Sequence, residues 1–130
     1  MSTMNSKLMF NAEQARRGKR LFWTVIDQAV SDACAKPIVS PRRDTRPMAK
    51  AITAMRFLTT NIDKYLDWLD VDAGNFRKRL FQAMYAEHTD KFSESDKRAF
   101  RYNHTWWIRN KDSLTAEDWR RIHTQEERNP

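Results

Sequence analysis

The sequence predicts an all-α fold of about six helices, with a helix-turn-helix-like core and a C-terminal helical pair. Three observations lead there. Only two glycines and four prolines interrupt 130 residues. β-Branched residues are scattered rather than alternating, and apolar residues recur at spacings of three and four. The chain divides into an N-terminal amphipathic helix (1–36), a basic proline-containing connector (37–47), the helix-turn-helix-like core (48–90) and a C-terminal helical extension (91–130). Together they make one compact domain, long enough for a modest core.

The first helix is expected from about Ala12 to Ala35, with Asn11 as N-cap and Glu13 in its first turn. Phe22, Val25, Ile26, Ala29, Val30 and Ala33 share its buried face, while Arg16, Arg17, Lys19 and Arg20 make a solvated basic end. The stretch KPIVSPRRDTRP, holding three of the four prolines, cannot continue a helix. It is an extended connector carrying Arg42, Arg43 and Arg46.

A second helix is expected over about Met48–Thr59, with Ala51, Met55 and Leu58 on one side. The third, about Ile62–Leu69, follows a Thr60-x-x-Asp63 box able to satisfy its free N–H groups, and packs through Tyr65, Leu66, Trp68 and Leu69. Asp72 caps a fourth helix, about Ala73–Glu87, which buries Phe76, Leu80 and Met84. Ser93-x-x-Asp96 begins a fifth, displaying Ala99, Phe100, Tyr102, Trp106 and Trp107. Thr115, Asp118 and a Leu114–Trp119 staple begin a sixth, whose polar end is expected to fray after Thr124.

Composition narrows the function classes. Lys plus Arg number 24 against 17 Asp plus Glu, a net +7 that favours polyanionic partners. Cys34 is alone, so no internal disulfide forms, and a reducing cytoplasm is the expected compartment, with Cys34 a small buried hydrophobe. No apolar run approaches the roughly 20 residues of a membrane span, and no signal-peptide segment opens the chain. His88, His104 and His123 are isolated from one another, and His104 reads as a polar surface residue. No metal-ligand spacing, phosphate loop or nucleophile motif appears, so neither an enzyme, a metal nor a cofactor is expected.

The segment Asn61–Leu80 carries the functional signal: two short helices broken at Asp70-Val71-Asp72. In a helix-turn-helix the second helix presents its first half to the major groove. With Phe76 and Leu80 turned inward, Asn75, Lys78, Arg79 and Gln82 face solvent, and Arg77 completes the basic run. Asn and Gln pair with adenine edges; Arg and Lys pair with guanine or hold phosphates. Gly74 lets the backbone come close to DNA. Arg42, Arg43 and Arg46 would track phosphates, since residues 1–47 hold nine basic and four acidic side chains, a net +5.

Asp63, Asp67 and Asp70 line up on the third helix, and residues 48–90 are neutral, with six basic and six acidic side chains. Such a row repels phosphates unless it faces away or is paired. The alternative is therefore a protein-binding phage factor that inhibits or redirects a host enzyme or defence complex, gripping a basic partner through Asp63, Asp67, Asp70 and one of Trp106 and Trp107 left exposed. A continuous basic stripe joining connector to fourth helix favours DNA; an interrupted one favours protein. Homodimer formation is compatible with either. A calcium loop is excluded, because Phe81 stands where the final Glu belongs.

Three groups of residues carry a resemblance. They are Trp23, Val25-Ile26, Gln28-Ala29 and Asp32-Ala33; Ala54 with Phe57-Leu58; and Trp68-Leu-Asp-Val-Asp-Ala-x-x-Phe-Arg77. Over roughly residues 20–80 the chain resembles small, uncharacterised bacteriophage and prophage proteins. It departs from them at Ala73, where they have proline, and at Phe76, where they have an aliphatic residue. The resemblance implies phage origin and DNA binding and brings no established activity; the expected function is a small DNA-binding regulatory protein in the cytoplasm of a bacterial host.

Overall fold

The structure, a computed structural model, describes residues 2–39, 44–86 and 91–128, with side chains from residue 16 to residue 125. Its elements are α1 (Ser2–Ala33), a two-residue hairpin of β1 (Ile38–Val39) and β2 (Thr45–Arg46), α2 (Ala49–Arg56), a π-helical segment (Phe57–Asn61), α3 (Ile62–Trp68), α4 (Ala73–Tyr85), α5 (Glu94–Asn110) and α6 (Ala116–Arg128). The fold is all-α apart from the hairpin, in which Ile38 opposes Arg46 and Val39 opposes Thr45.

α1 starts earlier than expected, because no proline or glycine precedes Asn11 and the helix runs straight through it. Its buried stripe holds Ile26, Ala29 and Ala33 with Phe22 and Val30 beside them, whereas Val25 is 43% exposed. The C-terminal carbonyls are satisfied from elsewhere in the chain. The Asn103 amide of α5, 1% exposed, donates to Ala33 O and Ala35 O at 2.9 Å each. Its own Oδ1 meets no partner, a cost the two donated bonds must exceed.

α2 and α3 are not separate helices. The π segment joins them into one rod, so five helical rods stand where six helices were expected. The Thr60–Asp63 cap does not form: the Thr60 hydroxyl donates to Arg56 O and that of Thr59 to Met55 O. Threonines that bond back onto i−4 carbonyls loosen and bend a helix, and the Ile62 N–H reaches back five residues to Phe57 O. Ala51, Met55, Leu58, Ile62, Leu66 and Leu69 stay on one buried side of the rod. α2 packs against α1, α5 and α6, and α3 against α4.

The α3–α4 corner is built from aspartates. The Val71 N–H bonds to Leu66 O and the Asp70 N–H to Asp67 O, with Asp70 at φ 58°. That is the Schellman termination, with Asp in the left-handed position usually held by glycine. Asp72 Oδ1 then accepts from the Asn75 N–H at 2.9 Å and caps α4 as expected. Leu80 and Met84 are buried, but Phe76 is only half-buried against Trp23.

α5 begins at the Ser93 cap, with Ser93 Oγ accepting from the Asp96 N–H. Its inner face carries Ala99, Phe100, Asn103 and Trp107. Lys97 is fully buried on the same helix, its ammonium donating to Ala86 O at 2.9 Å and pairing with Glu94 at 2.7 Å. α6 begins with a reciprocal box: Thr115 N–H to Asp118 Oδ2, and Asp118 N–H to Thr115 Oγ1. Its backbone remains helical to Arg128, past the expected fraying point. Trp119 packs edge-on to Trp107 and lies under the Arg56 guanidinium.

Two expectations follow. Asn103→Ala should lower unfolding free energy in urea by about 1–3 kcal/mol, and Asn103→Asp by more, since a carboxylate would then face two carbonyls; an unaffected Asp variant would place the amide elsewhere. Hydrogen bonding to Lys97 holds the Glu94 carboxyl below its ordinary value, and bonds from the Thr115 backbone and hydroxyl do so for Asp118. Such groups stabilise the fold above the ordinary carboxylate range and lose that contribution as pH falls through their depressed values. Acid titration of Tm should be shallower in Glu94→Gln and Asp118→Asn than in the parent chain; parallel curves would contradict this.

Candidate nucleic-acid interface

α4 turns Leu80 and Met84 to the core, with Phe76, Phe81 and Ala73 flanking them. At about 100° per residue the opposite arc holds Asn75, Lys78, Arg79 and Gln82, and all four are exposed. Neither Lys78 nor Arg79 pairs with a carboxylate among the described residues. Arg77 differs from them. It is half-buried and bonded to Asp63 of α3, so it braces the corner. Gly74 also has a local reason, since a Cβ there would lie 3.3 Å from the Asp72 carboxylate.

The acidic row is divided by the fold. Asp63 is matched by Arg77, Asp70 supplies the left-handed turn residue, and Asp72 caps α4. Asp67 is left exposed beside Lys64 in a shallow surface depression. Neither tryptophan named for a partner surface is exposed: Trp107 is 4% exposed, with its indole N–H on Thr59 Oγ1 at 3.2 Å, and Trp106 is half-buried against the core. The exposed tryptophans are Trp23 and Trp68, at 38% and 45%. Trp68 lies over Phe22 and over Gly18, where a Cβ would meet its ring at 3.0 Å. A side chain there would require the ring to give by a few tenths of an ångström.

Of the connector arginines, Arg46 is exposed on β2, whereas Arg42 and Arg43 lie outside the described residues. β2 is tied to α5 by the Tyr102 hydroxyl, which donates to Thr45 O at 2.8 Å. His104 is half-buried: it packs among Phe81, Phe100 and Tyr85, takes part in a 2.9 Å bond with the Tyr85 hydroxyl, and burial lowers its pKa. Three exposed or half-exposed arginines of α5, Arg98, Arg101 and Arg109, have no place in the sequence reading, although their spacing of three and eight marks one helix face.

A groove of about 400 Å³ opens between α1, α4 and the start of α5, walled by Trp23, Phe76 and Phe92 with Asp27 and Asp96 at its margin. Cys34 lies at its inner wall, its thiol pushed up to about 12 by burial and then by Asp96. Among the described residues no three His, Cys, Asp or Glu gather to hold a metal, and no helix is long and apolar enough to cross a membrane.

No family model, curated protein or solved structure matches the chain.

The corner geometry is open to a direct check. Asp70→Gly should leave stability unchanged or raise it by up to about 1 kcal/mol, whereas Asp70→Val should cost about 1–2 kcal/mol, because a β-branched residue is strained at positive φ. Equal stabilities for the two variants would be inconsistent with a left-handed residue at this corner.

Proposed function

We propose that this chain is a small, non-enzymatic DNA-binding regulatory protein of phage type, acting in a bacterial cytoplasm, with α4 entering the major groove of duplex DNA. The outer arc of α4 carries this reading: Asn75, Lys78, Arg79 and Gln82 project from a helix whose start is held by the Asp72 cap. Two amides and two cations on one exposed arc are the side chains that bond adenine edges, guanine edges and phosphates. Arg46, with Arg42 and Arg43 near it in sequence, would contact the backbone. The obstacle raised by the acidic row shrinks at Asp63, which pairs with Arg77, and at Asp72, which caps α4, while Asp67 and Asp70 stay exposed. Arg77 is accordingly assigned to the corner rather than to the DNA.

One observation favours a second reading, a factor that binds a host protein. Leu21, Val25 and Trp68 are 65%, 43% and 45% exposed, and Leu21 and Val25 follow Gly18, on which Trp68 rests, along α1. Clustered exposed apolar side chains mark protein-binding surfaces. In that reading the contact lies here rather than at Trp106 and Trp107.

Fluorescence anisotropy with labelled duplex, from low to physiological salt, separates the two. With about five phosphate contacts, log Kd against log salt should have a slope of magnitude about 4–5. Asn75→Ala and Arg79→Ala should each weaken sequence-specific binding by about 1–3 kcal/mol at an unchanged Tm. Absence of duplex binding at low salt and micromolar protein would remove the DNA reading, and retention of a host protein by the parent chain but not by Trp68→Ala would support the second.

A further inference from the structure

We infer that the outer face of α5 is a phosphate-binding ridge that joins the reading helix to the connector hairpin into one surface for the backbone of duplex DNA. The inference rests on the DNA-binding reading of α4 and assigns to α5 a part that reading does not contain.

The ridge follows from the helical wheel. At about 100° per residue Arg98, Arg101, Thr105 and Arg109 fall within about 80° of one another. Arg98, Thr105 and Arg109 are exposed and Arg101 half-exposed. None of the three arginines forms an ion pair among the described residues. The nearby carboxylate, Glu94, is occupied by the buried Lys97 ammonium; that hydrogen bond first, then the charge of Lys97 and after it those of Arg101 and Arg98, hold its carboxyl low. Unpaired guanidinium groups aligned along a helix repel one another, and a row of phosphates relieves that repulsion.

The two borders of the ridge are set by observed contacts. On one side lies His104, where α4 packs through Phe81 and where the Tyr85 hydroxyl bonds the imidazole. On α4, Tyr85 in turn borders Gln82 and Lys78 on the exposed arc. On the other side lies Tyr102, whose hydroxyl holds Thr45 next to Arg46. The cationic surface thus passes from α4 across α5 to β2. Arg98 and Arg109 stand eleven residues apart, or about 16 Å along the axis. That exceeds the roughly 12 Å width of the major groove, so the ridge is long enough to touch phosphates on both of its banks.

The test uses the full chain and duplex DNA. The triple variant Arg98→Gln, Arg101→Gln, Arg109→Gln changes only solvent-facing groups, and circular dichroism checks that its fold matches the parent. Removing three phosphate contacts should reduce the magnitude of the log–log salt slope by about 2.7, at about 0.9 per contact, and weaken all duplex sequences alike. Asn75→Ala with Arg79→Ala, measured beside it, should reduce preference between sequences. A parent chain that binds duplex with a salt slope the triple variant leaves unchanged would overturn the ridge and leave the α4 reading standing. A slope that falls in the triple variant, with no change in the α4 variant, would support the ridge and overturn base reading by α4. Failure of the parent to bind any duplex would overturn both.

Discussion

The molecule depends on keeping one rod, from Ala49 to Trp68, continuous while its surroundings change along its length. Near its start it meets α1, α5 and α6; near its end it meets α4. Buried residues at three- and four-residue spacing keep one apolar stripe along the rod. The π segment Phe57–Asn61 interrupts the regular helix in the middle of that stripe. Thr59 and Thr60 make it possible by bonding their hydroxyls back to Met55 O and Arg56 O. Met55, Leu58, Ile62 and Leu66 all reach zero exposure on a single element.

α5 is fitted to that rod through polar atoms as much as through its aromatics. The Trp107 indole donates to the Thr59 hydroxyl at the π segment, so the irregular backbone is also the docking point of a large side chain. Four residues earlier Asn103 closes the end of α1, and Lys97 closes the end of α4 at Ala86 O. Buried polar groups of this kind contribute little net stability when paired, yet are costly when misplaced. They fix where α1 and α4 end against α5 more sharply than apolar contact alone would.

Charge is sorted by the same geometry. Two carboxylates of the α3–α4 corner are engaged locally, Asp63 with Arg77 and Asp72 at the cap, while Asp70 serves the turn through its backbone and Asp67 stays exposed. Lys78, Arg79, Arg98 and Arg109 are left facing solvent. Residues 48–90, neutral by count, therefore carry exposed cations without carboxylate partners among the described residues on the outer arc of α4. Sequence totals conceal this, because they weigh a capping aspartate and a free arginine equally.

The parts of the structure legible in the sequence are those settled within about four residues. The all-α class followed from periodicity and the scarcity of glycine and proline. The caps at Asp72, Ser93 and Thr115–Asp118 stand where their spacing placed them, because a side chain and the N–H groups it satisfies are covalent neighbours. The outward arc of α4 was legible for the same reason: the inward turn of Leu80 set its rotation, although Phe76, expected to turn inward with it, is only half-buried. Where two local solutions competed, tertiary structure chose. Thr60 had the pattern of an N-cap, but a threonine can equally bond back to i−4, and the packed rod selected the second. Trp68 and Trp107 look alike in sequence; one is half-exposed over Gly18 and the other buried on Thr59, according to which distant helix covers each. Lys97 reads as surface charge until the end of α4 encloses it. Local hydrogen bonds were thus determined by the sequence itself, while the burial of a given face waited on partners tens of residues away.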